Sequence, residues 1–220
     1  MLTLTRIDPR AWLRSAWKNG GGMTSEIARG HLDAGPDGDA PPGAKSDALG
    51  ADGWSWRVSI AEVTLSGPFS EFPGVDRQIA VIAGAGMELA FEDGRIERLE
   101  PNLPFAFDGG ERVEGRLGAG PVRDFNVMAV RGRVYATLEI LDGPSNRPRP
   151  VKLEGVGLIH VLMGSCTLQV ARPGSAAEAH QLGTDETLQL NGRGELSIAL
   201  PRGARVALVT VEPAARAEDR

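Results

Sequence analysis

Glycine and proline fill 44 of the 220 positions, 29 and 15 respectively, so regular structure is interrupted about once every five residues. Long helices do not tolerate that density, whereas short strands joined by turns do. The apolar pattern agrees. In WSWRVSIAEV, Trp54, Trp56, Val58 and Ile60 share one face while Ser55, Arg57, Ser59 and Ala61 share the other. The same reading predicts strands over 78–82, 86–91, 96–99, 122–130, 134–141, 157–163, 166–171, 188–190, 195–200 and 205–211. Turn signals such as PGVD, EDG, DGGE, RPGS, NGRG and PRGA separate them. About ten strands with no amphipathic helix between them make an all-β antiparallel sandwich or barrel, not a βαβ fold.

The two halves repeat loosely. Strand, Gly84, strand, turn, Leu99 and Phe105 in the first parallel strand, Gly164, strand, turn, Leu182 and Leu188 in the second. The expected organisation is an N-terminal barrel over 1–140, a linker over 141–152, a second barrel over 153–212 and a frayed tail over 213–220. Within the first barrel, 19 of the 24 residues from 30 to 53 are Gly, Ala, Asp or Pro, which predicts a mobile insertion. That insertion carries five Asp against one Lys, most of the net charge of −5, so the folded body is nearly neutral.

With 24 Lys+Arg against 29 Asp+Glu, no basic excess is available for nucleic acid. The N-terminal stretch lacks a signal-peptide pattern, and the longest apolar runs are too short for a bilayer, which predicts a cytoplasmic chain without membrane partners. Cys166 is the one cysteine. The histidines are His31, in the insertion, His160, on a strand face with Leu158 and Leu162, and His180, in an expected polar turn. They form no His-x-His pair, so neither a metal nor a cofactor is expected. Cys166 reads as a small core residue and His160 as a locally hydrogen-bonded one.

Four segments concentrate polar chemistry. WKNGGGMTSEI puts Lys18 and Asn19 before three glycines, either a glycine-kinked bend or a nest of amides open to an anion. SGPFSEFPGVDR combines Phe69, Phe72 and Arg77, an apolar wall with one fixed cation or a hairpin pinned by aromatics. PFAFDGGE carries Asp108 in a turn, and RDFNVM puts Asp124, Asn126 and Met128 on one strand face.

Taken in order, WKNGGGMTSEIA, WRVSIAEV, GPFSEFPGVDR, PFAFDGG and GPVRDFNVM resemble the HutD/Ves family over about residues 12 to 130. The resemblance implies a bicupin, two tandem cupin or jelly-roll β-barrels in one chain without the cupin metal motif. It further implies a regulatory or accessory role in histidine utilisation, through binding of a small carboxylate such as formylglutamate. Carried over residue by residue, it gathers Lys18, Asn19, Thr24, Glu26, Arg57, Ser59, Phe69, Phe72, Arg77, Asp108, Asn126 and Met128.

The expected ligand site is Lys18, Asn19, Arg57, Ser59, Phe69, Phe72, Arg77, Asn126 and Met128. If the aromatic face of the 54–60 strand packs between layers, Arg57 and Ser59 face the barrel interior, and an arginine without acidic company there attracts a carboxylate. Two other classes stay open: an enzyme of the same fold, a hydrolase or isomerase with Glu26 or Asp108 as general base, and a protein–protein module. Edge-to-edge sheet pairing makes a homodimer an expectation as well.

Overall fold

The computed structural model describes residues 2–32, 53–145, 147–171 and 176–214. Most of the expected insertion and most of the expected tail lie outside the described residues.

In chain order the strands are β1 (Thr3–Ile7), β2 (Leu13–Ala16), β3 (Gly22–Gly30), β4 (Trp56–Val63), β5 (Gly67–Pro68), β6 (Val75–Ala83), β7 (Met87–Phe91), β8 (Ile96–Leu99), β9 (Phe105–Asp108) and β10 (Val113–Leu117). They continue with β11 (Val122–Val130), β12 (Val134–Asp142), β13 (Arg149–Met163), β14 (Ser165–Val170), β15 (Glu178–Gly183), β16 (Thr187–Ala199) and β17 (Arg205–Pro213). One 3₁₀ turn at Pro9–Ala11 is the helical content among the described residues, and no helix there is long and apolar enough to cross a membrane.

The chain forms two compact units. The first contains the described residues of 12–136, in two sheets ordered β2-β3-β4-β11-β6-β9 and β5-β10-β7-β8. Alternation builds its core. Ala61 and Val63 of β4, Ile79 and Val81 of β6 and Val122 of β11 meet Met87, Leu89, Phe91, Leu99 and Val113 from the smaller sheet. Each of these side chains other than Ala61, fully buried, contributes about 1.5–3 kcal/mol. The opposite face of the middle strands is buried as well, at Val58, Ile60, Phe125 and Val127. Burial on both faces explains why β4, β6 and β11 are rich in apolar residues and why their few polar side chains stand out.

The second unit contains residues 137–212 together with the N-terminal residues up to Ala11. Its sheet runs β12-β17-β13-β16-β14-β15, with β1 also paired to β16. Two differences from the expected organisation appear here. The first eleven residues fall in this unit, because β1 lies along β16 from Thr3↔Asn191 to Ile7↔Thr187. The expected linker also shrinks, since β12 continues to Asp142 and β13 starts at Arg149. The prolines of that segment do not end the ladder. Pro150 pairs with Ser197 near the start of β13, a position sheets accept.

Both units carry the same turn. Gly84 and Gly164 have φ of 97° and 76°. Asn102 and Asp185, each three residues after Leu99 and Leu182, share φ of 64° and are the two non-glycine residues with positive φ among the described residues. The Asn102 amide donates to the Val81 carbonyl at 2.7 Å, and the Asp185 amide to Val161 at 2.8 Å. Asn and Asp are the side chains that best tolerate this left-handed backbone. Within the described residues the recorded strand pairings leave every sheet open.

Candidate functional site

Strand register assembles the site. On β11, Met128 lies opposite Arg57 of β4 on one side and Arg77 of β6 on the other, and Arg77 in turn faces Phe107 of β9. One row across four strands therefore reads Arg57, Met128, Arg77, Phe107. Neighbouring strands are about 4.8 Å apart, so the two arginines stand about 10 Å from one another. Two residues along β11, Asn126 sits beside Ser59, and Asp124 beside Ala61. Of these, Arg57, Ser59, Ala61, Arg77, Asp124, Asn126 and Met128 line a cavity of about 450 Å³ in the 12–136 unit.

Arg77 is its fixed cation. Only 5% exposed, it lies over the rings of Phe107, Phe69 and Phe72 at 4.8, 5.6 and 5.7 Å from their centroids. Its Nη2 donates to Asn126 Oδ1 at 2.8 Å, and its Nη1 to the Ser70 carbonyl at 3.4 Å. Nε is buried with no partner. Asn126 passes the contact on, its Nδ2 donating to Asp124 Oδ1. Asp124 is 0% exposed, and its Oδ2 has no partner. Burial raises the Asp124 carboxyl to about 7 against the opposing pull of Arg77. Burial likewise lowers Arg77, to about 10, with Asp124 resisting and Arg57 adding to the fall.

A tight turn shapes the mouth. The Trp17 amide donates to the Gly22 carbonyl at 2.9 Å, the Gly20 amide to Trp17 at 3.0 Å and the Gly21 amide to Asn19 Oδ1 at 3.0 Å. WKNGGG is thus the β2–β3 hairpin turn, with Gly20 at φ 70°. The amides of Gly20 and Gly21 are spent inside the turn, which corrects the reading of the glycines as an anion nest. What the turn presents instead are side chains. Trp17 donates from Nε1 to Thr24 Oγ1 at 2.8 Å and meets Phe69 edge-on at 5.6 Å. Lys18 is exposed at the rim with no charged partner among the described residues.

Gly22 makes this geometry affordable. A Cβ there would lie 2.6 Å from the Glu62 carbonyl and 3.0 Å from the Trp17 ring. Gly22→Ala is expected to cost about 1–3 kcal/mol through overpacking, lowering the unfolding midpoint by about 2–10 °C in a calorimetric scan.

All nine residues of the expected ligand site, Lys18, Asn19, Arg57, Ser59, Phe69, Phe72, Arg77, Asn126 and Met128, border this one cavity. Arg57, however, has acidic company. Its Nε donates to Glu26 Oε2 at 2.6 Å, and Arg29 Nε approaches Glu26 Oε1 at 3.4 Å. The register slips between Glu26 and Ala28, and this bulge brings Glu26 and Arg29 beside Arg57 together. Arg57 is therefore a neutralised wall, and Arg77 takes the anchoring position.

The two expected general bases fare differently from the ligand residues. Glu26 is engaged by two arginines, and it does not line the cavity. Asp108 lies outside the cavity too. It accepts the Gly110 amide at 2.8 Å and pairs with Arg131 at 2.9 Å, contacts that hold its carboxyl below the usual range and make it a poor base. The residue missed as a site member is Asp124, although its shared face with Asn126 and Met128 is plain in RDFNVM.

In the 137–212 unit, His160 is buried, with Nδ1 2.8 Å from Thr187 Oγ1. His180 lies on β15, not in a turn, because β15 pairs with β14 from Glu178 to Gly183. Cys166 is packed in the core, and burial pushes its thiol up to about 11. Among the described residues no group of three or more His, Cys, Asp or Glu side chains is arranged to hold a metal ion.

Comparison with known proteins places this geometry. The chain is 35% identical over 196 residues, 89% of its length and 91% of the relative's, to an uncharacterized 21.2 kDa protein in the hutC 3′ region of Pseudomonas putida. Its structure is similar to HutD from Pseudomonas fluorescens SBW25, solved in a formate condition, with a TM-score of 0.73 and 31% identity covering 96% of this chain and 99% of that one. A cupin 2 conserved barrel domain protein from Leptotrichia buccalis, 10% identical with a TM-score of 0.52 over 87% and 89% of the two chains, shares the fold alone, which is therefore cupin-like. The HutD family model matches residues 10–208, and the chain belongs to the HutD family.

Proposed function

We propose that the chain is a non-catalytic accessory or regulatory protein of histidine utilisation that binds a small carboxylate, such as formylglutamate, in the cavity around Arg77. The observation that carries this reading is the buried guanidinium itself. Three aromatic rings fix its plane, two hydrogen bonds fix its rotation, and the unpartnered Nε leaves donor capacity for an anion. Lys18 at the rim adds attraction without adding a fixed contact, while Trp17, Phe69 and Phe72 supply the apolar wall that small-molecule sites use. With Glu26 offsetting Arg57, the lining keeps a positive surplus. The relative in the hutC 3′ region supports the pathway. The turn repeated in both units supports reading them as two cupin-like halves, a bicupin, with the ligand in the first.

A thermal-shift series with urocanate, imidazolone propionate, formiminoglutamate, formylglutamate and glutamate tests this. At about 100 times Kd a ligand adds about 2.7 kcal/mol, about 5–10 °C for a chain of this size. A shift with one carboxylate, unchanged by chelator, is the expected result, and no shift with any of them counts against the reading.

Asp124 favours a second reading, in which a hydrolase or isomerase uses this carboxyl as its general base. A group poised near neutrality beside a fixed cation suits that role. Turnover of the same panel by purified protein, followed by NMR and lost in Asp124→Asn, decides for it.

A further inference from the structure

Two buried polar atoms of the cavity lack partners, Arg77 Nε and Asp124 Oδ2. A carboxylate seated on the guanidinium satisfies the first, because it accepts. It does nothing for the second, because an ionised aspartate also only accepts. One amide, Asn126, separates the two groups, so the ligand and Asp124 are held close. Two carboxylates confined there oppose one another unless one carries a proton.

Resting on the carboxylate-binding reading, we propose that Asp124 enters the complex protonated and donates from Oδ2 to an oxygen of the bound anion, so that wherever the free protein is ionised at Asp124 one proton is taken up with each ligand. No covalent bond to carbon is made or broken. The proton comes from solvent, sits on Oδ2 and is shared with the ligand oxygen.

The charged groups facing Asp124 are few. Arg77 approaches from β6, through Asn126. Arg57 of β4 lines the same cavity four residues further along, opposite Met128, with Glu26 of β3 already bound to it, and Lys18 lies at the rim. Arg77 draws the carboxyl toward ionisation, and burial outweighs that pull. A bound anion adds to the side of burial. Near neutral pH the free protein is thus partly ionised at Asp124, and the complex is not.

Calorimetric titration of the full chain with N-formyl-L-glutamate, from about pH 5.5 to about pH 8.5, tests the coupling. Above about pH 7, Kd is expected to rise about tenfold per pH unit, the signature of one proton. At a fixed pH near 8, the measured heat is expected to differ between phosphate and Tris buffers by their difference in ionisation enthalpy. In Asp124→Asn both the slope and the buffer difference vanish. Should that variant fold poorly, the buffer dependence of the unaltered chain decides alone. A Kd flat across this range, with the same heat in both buffers, overturns the proton coupling and leaves the carboxylate reading standing. No binding at any pH overturns both.

Discussion

Arg77→Met is expected to weaken binding of the carboxylate about 10- to 100-fold while leaving the fold in place. A hydrogen bond to a buried charged group contributes about 1.5–3 kcal/mol, and about 2.7 kcal/mol corresponds to 100-fold in Kd. Methionine fills the space between Phe69, Phe72 and Phe107, and its insertion removes the cost of keeping a guanidinium out of water. The acceptors left behind are Asn126 Oδ1 and the Ser70 carbonyl, and Asp124 beyond them loses the charge that favours its ionisation and becomes neutral over a wider pH range. Arg77→Lys restores charge without the planar fork, so only part of the affinity returns. Arg57→Ala is expected to do less, since that cation is already matched by Glu26. Titration calorimetry on the three variants, with circular dichroism as the folding control, ranks them. Equal affinities for Arg77→Met and the unaltered chain would remove Arg77 from the site.

The second large effect concerns stability against pH. The ordinary value for this carboxyl is 3.8, and in the folded chain it is raised to about 7. Between these values the folded state holds a proton that the unfolded chain has released. Unfolding free energy therefore falls as pH rises across this window, by at most about 1.4 kcal/mol per pH unit for one proton. Below the window Asp124 contributes no slope, and above it the loss is complete. Asp108, held low by the Gly110 amide and Arg131, works in the opposite sense at acid pH, so a single curve mixes both groups. The difference between Asp124→Asn and the unaltered chain isolates one of them. In urea denaturation the variant is expected to gain on the parent from about pH 4 to about pH 7 and then run parallel. Parallel curves throughout would mean that folding leaves the Asp124 carboxyl at its ordinary value.

Much of this was legible before any coordinates, for a physical reason. A strand's period of two is strict, so RVSI, DRQI and RDFNVM already place Arg57, Arg77 and Asn126 on definable faces. Which strands are neighbours is a long-range property. The row Arg57, Met128, Arg77, Phe107 exists because β11 lies between β4 and β6, and no local pattern states that. The ion pair of Glu26 with Arg57 was hidden twice over, by a separation of 31 residues and by the bulge near Ile27 that re-aims β3. TLTRI of β1 gives little local signal, because it is short and half exposed and its partner residues on β16 lie 180 or more residues away. Asp124 was visible as a polar residue on a buried-looking strand, but the missing partner that makes it chemically interesting appears only in three dimensions.

Where the ligand sits matters as much as how tightly it binds, and a crystal structure of the chain soaked with formylglutamate shows both the site and its contacts. A carboxylate is expected within hydrogen-bond distance of Arg77 Nε, with a ligand oxygen against Asp124 Oδ2 and the carbon chain along Phe69 and Phe72. A ligand bound at saturation in the 137–212 unit, or an Arg77 left untouched, would contradict it.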